Sequence, residues 1–482
     1  MLDYLKQQAN ITQTENGAVS YKSTQSYCLD LFASIGAVRR CDEKYIIAAF
    51  EKAYAENPDI AMKILFFARD IRGGLGERRV FRIIINHLAK RNSCSIKKNI
   101  PYISEYGRFD DLMSLINTPC EDAVIDVIRT HLNHDTKSCD NVSLIAKWLP
   151  SVNASSENTK KLARHIARRL KLSDREYRIM LSELRHRIKI IENNLRVYDY
   201  TFDYSKIPSK ALFKYKKAFI RNDNERYNKF LNDVMCQKIT MHTDTLMPYE
   251  IVRSCLESTD ESEELSLDVM WNNLKDYASD ENAIVVIDGS GSMYWNASEP
   301  LPATVALSLG IYFSERNKGH FKNHFITFSC CPQLVEIKGN TIAEKVRYCE
   351  QFNECANTDI DKVFSLILNT AIIYNLPPEE LPKRLYIVSD MEFDICAENA
   401  EASNFDNARK EFEENGYTLP EVIFWNVAFR RSHYPVRKNE QGVALVSGCT
   451  PEIFEMATDQ ITDPYDFMIK TVTAERYAPI SA

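Results

Sequence analysis

Asp288, Ser290 and Ser292 put one carboxylate and two hydroxyls at alternate positions of AIVVIDGSGSM, residues 283–293. An apolar run of strand character leads straight into them. Gly289 and Gly291 let the chain turn tightly enough for all three oxygens to face one point. Oxygen donors of this kind suit a hard cation, Mg2+ or another divalent ion, which takes octahedral oxygen ligands and keeps some of its waters. Two later stretches also end strand-like runs with oxygen donors: Thr358 in ANTDID and Asp390 in IVSDMEFD. Asp359 and Asp394 stand beside them, available as substitutes or in support. Other chemistries fit less well. Asp288 occupies the first glycine position of a G-x-S-x-G nucleophile elbow. The G-K-[ST] of a phosphate loop is missing, and a two-aspartate phosphotransfer motif would want an acid where Ser290 stands. A polar strand-end turn without metal is the plainer alternative.

A second set of residues carries positive charge. RDIRGGLGERRVFR, residues 69–82, gathers Arg69, Arg72, Arg78, Arg79 and Arg82 around three glycines. An inter-helix turn explains the glycines but not the arginines. Lys160, Lys161, Arg164, Arg168, Arg169, Lys171, Arg175, Arg178, Arg185, Arg187 and Lys189 form a second cluster, in which 161, 164, 168 and 171 can share one helical face. Lys206, Lys210, Lys214, Lys216, Lys217 and Arg221 form a third, interleaved with Tyr204, Phe213 and Tyr215. Basic stripes displace counterions from phosphates, and aromatics stack on unpaired bases. A solvated helix face explains any one cluster alone. Three in one domain point toward nucleic acid. Cys120, His131, His134 and Cys139 come nearest to a zinc pattern, but their spacing fits no defensible ligand set, and surface histidines on a helix are the better reading.

These residues need elements to hold them. Residues 1–255 read as helices: the apolar spacing in DEKYIIAAFEKAYAENPDIAMKILFFARDI, ERRVFRIIINHLAKRN and DREYRIMLSELRHRIKIIENNLRVY is helical. Antiparallel helix pairs in an α-solenoid would bury these faces. Residues 256–280 are an acidic connector with one short helix. From 281 to 482, short β-rich runs alternate with helical ones, which predicts an α/β domain with a mostly parallel, helix-wrapped sheet. In such sheets ligands sit beyond the carboxyl ends of strands, where Asp288 and Asp390 fall.

Composition bounds the class. The chain of 482 residues is 45% hydrophobic and 26% charged, ordinary values for a soluble protein with sizeable cores. Its net charge of −7 is uneven: residues 1–250 hold 41 Lys and Arg against 30 Asp and Glu, a balance of +11, and the rest balances to −18. The halves are therefore expected to meet different partners. No signal peptide or membrane span is read. The 13 cysteines are odd in number, dispersed and without a C-x-x-C pair, which fits free thiols in a cytoplasmic protein.

IDGSGSM, the Thr358 loop and Asp390 resemble the metal-ion-dependent adhesion site of a von Willebrand factor A domain, over residues 283–475. That resemblance implies direct ion binding by Asp288, Ser290, Ser292 and Thr358, with Asp390 direct or through water, and an acidic residue of a protein partner completing the shell. One departure stands out: Met391 follows Asp390 where the family often has glycine. Together with NPDIAMKILFFARDIRGGLGERRVFR, IPYISEYGRFDDLM and LRHRIKIIENNLRVYDYTFDYSKIPSKALFKYKKAFIRND, the chain is similar to the TROVE family of Ro ribonucleoproteins over nearly its whole length. The resemblance implies a HEAT-like helical ring closed by a doubly wound, Rossmann-like A domain. It implies binding of small non-coding or misfolded RNA, including single-stranded ends. No candidate general base is seen at the metal site, so the expectation is a protein that binds and does not catalyse. Arg72, Arg78, Arg79, Lys161, Arg164, Arg168, Arg169, Lys171, Arg175, Lys214 and Lys217 are the RNA-contact candidates read from charge. A metal-dependent protein-interaction scaffold with no RNA is the alternative. Steep salt dependence of nucleic-acid affinity separates the two.

Overall fold

The first element is an antiparallel hairpin, β1 (Ile11–Gln13) and β2 (Val19–Tyr21). It corrects the reading of residues 1–255 as entirely helical. Strands of three residues are too short for a period-two signal, and the turn rests on Gly17 at φ +91°. The computed structural model describes residues 9–138, 142–188, 190–278, 282–294, 300–329, 331–352, 358–394 and 404–482. Lys189 and Cys139 lie outside the described residues.

Helices of eight residues or more follow: α1 (Tyr27–Ser34), α2 (Glu43–Glu56), α3 (Pro58–Arg69), α4 (Arg78–Arg91), α5 (Glu121–Lys137), α6 (Glu157–Arg169), α7 (Asp174–Arg187), α8 (Ser209–Asn222), α9 (Asn224–Met235), α10 (Pro248–Glu257) and α11 (Glu261–Asn272). Their starts are written locally. Asn57 caps α3 through the Ile60 amide with Pro58 at the first position, and Ser173 and Glu176 form a reciprocal capping box on α7. Two sequence expectations are corrected. The long helical run from 174 breaks after Arg187 and resumes at Ile191–Arg196. α6 ends at Arg169, and Lys171 lies beyond it at φ +63°, so it shares no helical face with 161, 164 and 168.

The glycine-rich turn after α3 is a packing joint. Arg69 is 2% exposed and pairs with buried Asp111 at 2.7 Å, and Arg82 reaches the same carboxylate at 2.6 Å. Gly74 has no room for a side chain: a Cβ there would sit 2.0 Å from the Phe67 carbonyl oxygen. Asp70 receives Arg476 (Nη2 to Oδ1, 2.8 Å), and the Tyr477 hydroxyl donates to the Gly73 carbonyl at 2.7 Å. The turn is thus the socket for Arg476 and Tyr477, while Ser481 and Ala482 bond instead to Asn99 and Asp59.

The second half is a six-stranded sheet in the order β5-β4-β3-β6-β7-β8. Its strands are β3 (Ala283–Asp288), β4 (His324–Phe328), β5 (Leu334–Glu336), β6 (Arg384–Ser389), β7 (Glu421–Asn426) and β8 (Val443–Ser447). All neighbours are parallel except β4 and β5. β3 alternates its side chains between two cores, Val285 and Ile287 to one, Ile284 and Val286 to the other. α12 (Pro302–Arg316) covers the first face. There a Cβ on Gly310 would fall 2.1 Å from the Ile287 side chain, so glycine permits the close approach. α13 (Ile342–Glu350) packs at the side, and α14 (Ile360–Tyr374) and α15 (Asn404–Glu414) cover the other face. From β3 the chain runs to β4 on one side and returns to β6 on the other. The strand order therefore reverses between β3 and β6, which opens a crevice at their carboxyl ends.

The halves interlock. α1 packs on edge strand β8, and α16 (Pro464–Val472) packs on β8, α1 and α3. At the other end, α10 packs on α12 and α13, and α11 on α13. The helical arc is closed on the sheet domain at both ends. No described helix is long and apolar enough to cross a membrane.

Candidate functional site

The β3–β6 register puts Ile287 opposite Val388, so Asp288 and Ser389 emerge side by side at the crevice. Asp288 is 1% exposed. Its Oδ1 accepts from the Ser290 amide at 2.9 Å and its Oδ2 from the Ser389 hydroxyl at 2.6 Å. The Ser290 and Ser292 hydroxyls lie 2.9 Å apart. Asp390 is equally buried. Its Oδ1 accepts from the Glu392 amide at 3.2 Å, while its Oδ2 has no hydrogen-bond partner and stands 3.8 Å from the Arg430 guanidinium. Burial pushes both carboxyls up. Asp390 reaches about 7, with the neighbouring Asp288 charge adding to burial and the Ser292 hydroxyl opposing it.

Thr358 is 2% exposed and donates to the Glu392 carbonyl at 2.7 Å, which fixes it to the loop that carries Asp390. Asp359 is spent elsewhere: it caps α14 through the Lys362 amide at 3.2 Å. The Asp394 amide donates to the Thr358 carbonyl at 2.8 Å. Met391, at the position of the sequence departure, adopts φ +70°. Glycine enters that region without cost, whereas Met391 holds it with its side chain packed in the second core. Ser389, Arg430, Glu392 and His433 are parts of the site that sequence reasoning missed. Ser389 and Glu392, inside the IVSDMEFD stretch, carried a local signal; Arg430 and His433 did not.

The donor set fits a hard divalent cation. Two carboxylates are buried there and the Asp288 charge raises the proton affinity of Asp390, the Ser290 and Ser292 hydroxyls lie together, Thr358 is tied to the Asp390 loop, and one buried carboxylate oxygen accepts no hydrogen bond. Among the described residues no group of three or more His, Cys, Asp or Glu is placed to hold a metal ion, so the donors on offer are two carboxylates and neutral hydroxyls.

The second feature is an open cavity of about 2670 Å³ between the helical arc and the sheet domain. Its described lining includes ten basic residues, Arg39, Arg108, Lys147, Arg178, Arg185, Arg187, Arg196, Lys206, Lys210 and Lys214, against the acids Glu77, Glu192 and Asp203. Trp148, Tyr177, Phe202, Tyr215 and Tyr249 line it too. The Arg108 guanidinium lies 4.1 Å from the Trp148 ring centre, and Lys214 lies 4.7 Å from that of Tyr215. Some of these cations are also framework: Arg185 donates to the carbonyls of Ala146 (2.8 Å) and Leu149 (2.7 Å).

Of the basic residues singled out in the sequence, Arg178, Arg185, Arg187, Lys206, Lys210 and Lys214 line this cavity. Of the RNA-contact candidates read from charge, Lys214 is on that lining and the other ten lie outside it. Arg72 donates to the Glu105 carbonyl at 2.7 Å and Arg79 to the Cys41 carbonyl at 2.9 Å. Arg164 pairs with Asp174 at 3.2 Å, Arg169 with Glu121 at 3.3 Å and Lys217 with Glu263 at 3.2 Å. Lys161, Arg168, Lys171 and Arg175 are exposed on the outer surface. Arg78 is exposed too, and burial and the charges of Arg108 and Arg82 lower its pKa.

Comparison with known proteins gives three kinds of match. The family described as Domain of unknown function (DUF2828) matches residues 14–130 and 124–284, and that described as Domain of unknown function (DUF7788) matches residues 282–472. An uncharacterized protein of Acanthamoeba polyphaga mimivirus is 31% identical over 491 residues, covering 93% of this chain and 84% of its own. Among solved structures, the Deinococcus radiodurans RO (RSR) protein is similar at a TM-score of 0.46 and 11% identity, over 88% of this chain and 93% of that one.

Proposed function

The chain belongs to the family described as Domain of unknown function (DUF2828), and since that description carries no activity we propose, from the site itself, that this is an RNA-binding protein. In this reading it is a ribonucleoprotein component that holds small non-coding or misfolded RNA. The carrying observation is the cavity of about 2670 Å³ with ten basic side chains and several aromatics on its described lining. A double helix is wide and rigid, whereas a single strand can enter such a space, give its phosphates to Arg and Lys, and stack its bases on rings. In the same proposal the helical arc is a HEAT-like ring and the sheet domain is von Willebrand factor A-like. The protein acts by binding rather than by catalysis.

The cation site is the second part of the proposal. Asp288, Ser290, Ser292, Thr358 and Asp390 would hold Mg2+. The ion would supply an electrophilic point to which an acidic oxygen attaches, which gives the domain a docking function rather than a hydrolytic one. Burial of both aspartates and the orphaned Asp390 oxygen support it.

The test is a titration of single-stranded RNA at several salt concentrations with the full chain and with Arg178→Glu, Arg196→Glu, Lys206→Glu together. These three residues line the cavity and are exposed to solvent. Wild type is expected to lose affinity steeply with salt, and the triple variant to lose roughly 100-fold or more at fixed salt. Salt-insensitive, equally weak binding by both would discard the RNA reading in favour of a protein scaffold.

A further inference from the structure

The tip of the N-terminal hairpin, Thr14 to Gly17, rests on the loop that carries Asp390. The Glu15 amide donates to Glu392 Oε2 at 2.6 Å, and Thr14 Oγ1 donates to the Phe393 carbonyl at 2.6 Å. Asn16 Nδ2 reaches the Glu392 carbonyl at 2.8 Å and Thr358 Oγ1, one of the proposed ion ligands, at 3.3 Å. The Glu15 carboxylate ends 2.7 Å from Arg430, whose guanidinium is 3.8 Å from Asp390 Oδ2, the oxygen that accepts no hydrogen bond. One guanidinium therefore separates Glu15 from the buried carboxylates, and that carboxylate is the acidic group the hairpin tip brings there.

On the basis of the cation reading above, we propose that Glu15 is the acidic ligand of this site. The chain's own hairpin then occupies the face that an outside acid would use, and the ion ties residues 11–21 to the sheet domain. Three observations converge on this. The Asp390 oxygen that lacks a hydrogen bond is the one that faces Arg430, on the Glu15 side. Asn16 touches Thr358, so the tip lies on the ligand set itself rather than beside it. A hairpin of three-residue strands is not stable alone, and its further ties, Tyr21 to Tyr434 by paired backbone bonds and Ser20 to His433 at 3.3 Å, leave Glu15 free to exchange one cationic partner for another. A divalent ion binds carboxylate oxygens in place of the guanidinium, and Arg430 moves aside. An ion bound by both the hairpin and the loops favours the docked hairpin by mass action.

The experiment uses the full chain and Mn2+ as the probe, with affinity read by calorimetry and the hairpin read by amide hydrogen exchange over residues 9–24. In the wild type Mn2+ is expected to slow that exchange. Glu15→Gln is expected to weaken Mn2+ binding about tenfold, in the range for losing one supporting group of a metal site, and to abolish the slowing. Arg430→Ala removes the present partner of Glu15 but not the acid, so the Mn2+-dependent slowing is expected to persist. Unchanged affinity and slowing in Glu15→Gln, or loss of the slowing in Arg430→Ala, would overturn the inference. Asp288→Ala separates the two levels. Its loss of Mn2+ binding upholds the cation site whatever Glu15 does, and unchanged binding in it removes the cation site itself.

Discussion

The crevice between β3 and β6 and the cavity inside the helical arc differ in how their charges are assembled. The crevice draws its central donors from five residues of one loop, Asp288 to Ser292, and adds Asp390 by a single strand pairing. The cavity draws its basic residues from positions 39 to 214, with Arg178, Arg185 and Arg187 on α7, Lys210 and Lys214 on α8, and the rest on other segments. The first concentrates like charge, two buried acids with the Arg430 guanidinium against one of them. The second spreads like charge over a wide, wet wall. A small dry site selects one compact ion by geometry, whereas a broad basic wall attracts a polyanion with little regard to sequence. The helical half also contains a third kind of charge. Arg69 and Asp111 resemble the crevice in burial, but they neutralise each other and have no ligand to recruit.

The largest effect is expected where that distinction is sharpest. Asp111→Ala would strand Arg69 in the core and cost about 3–5 kcal/mol, measured by urea unfolding. A cost within the range of a surface substitution would show that this arginine is not framework and would return the glycine-rich turn to the list of ligand sites.

A smaller, pH-dependent effect is expected at the joint between connector and sheet domain. Glu452 accepts from the Tyr277 hydroxyl at 3.0 Å, and burial, with Asp70 nearby, pushes its carboxyl up from 4.5 to about 7. The folded state thus binds the proton more tightly than the unfolded one. Its stability is expected to fall as pH rises between about 4.5 and about 7. Glu452→Gln should flatten this part of the profile in thermal unfolding against pH. An unchanged slope would assign the dependence to another group.

The smallest effect is expected on the outer surface. Lys161→Ala and Arg175→Ala each should change stability by no more than about 0.5 kcal/mol and leave RNA affinity within about twofold, the share of one screened surface charge. A loss as large as that of the cavity variant would move the binding surface from the inner wall to the outer face of α6 and α7.

Local features were legible in the sequence. The D-x-S-x-S loop at the end of an apolar run, the change from helical to alternating periodicity near 281, and the caps at Asn57 and Ser173 all depend on neighbours within a few residues. The departure at Met391 was visible as a letter, and the structure adds its left-handed backbone. The basic clusters were legible as charge but not as position. Arg69 and Arg164 look alike in sequence, yet one pairs in the core and the other on the surface.

The sequence by itself determined most of the longer helices and the main strands of the sheet domain, though not the N-terminal hairpin or the break after Arg187, and which oxygens can meet on one loop. Backbone propensity and side-chain spacing act over a few residues and need no distant partner. Only the tertiary structure decided which arginines face the cavity, that Arg476 and Tyr477 dock in the glycine-rich turn, and that Glu15 and Asn16 rest against a loop some 375 residues further along the chain. Such pairings are set by the closing of the arc on the sheet, and long-range contacts leave no periodicity in the segments they join.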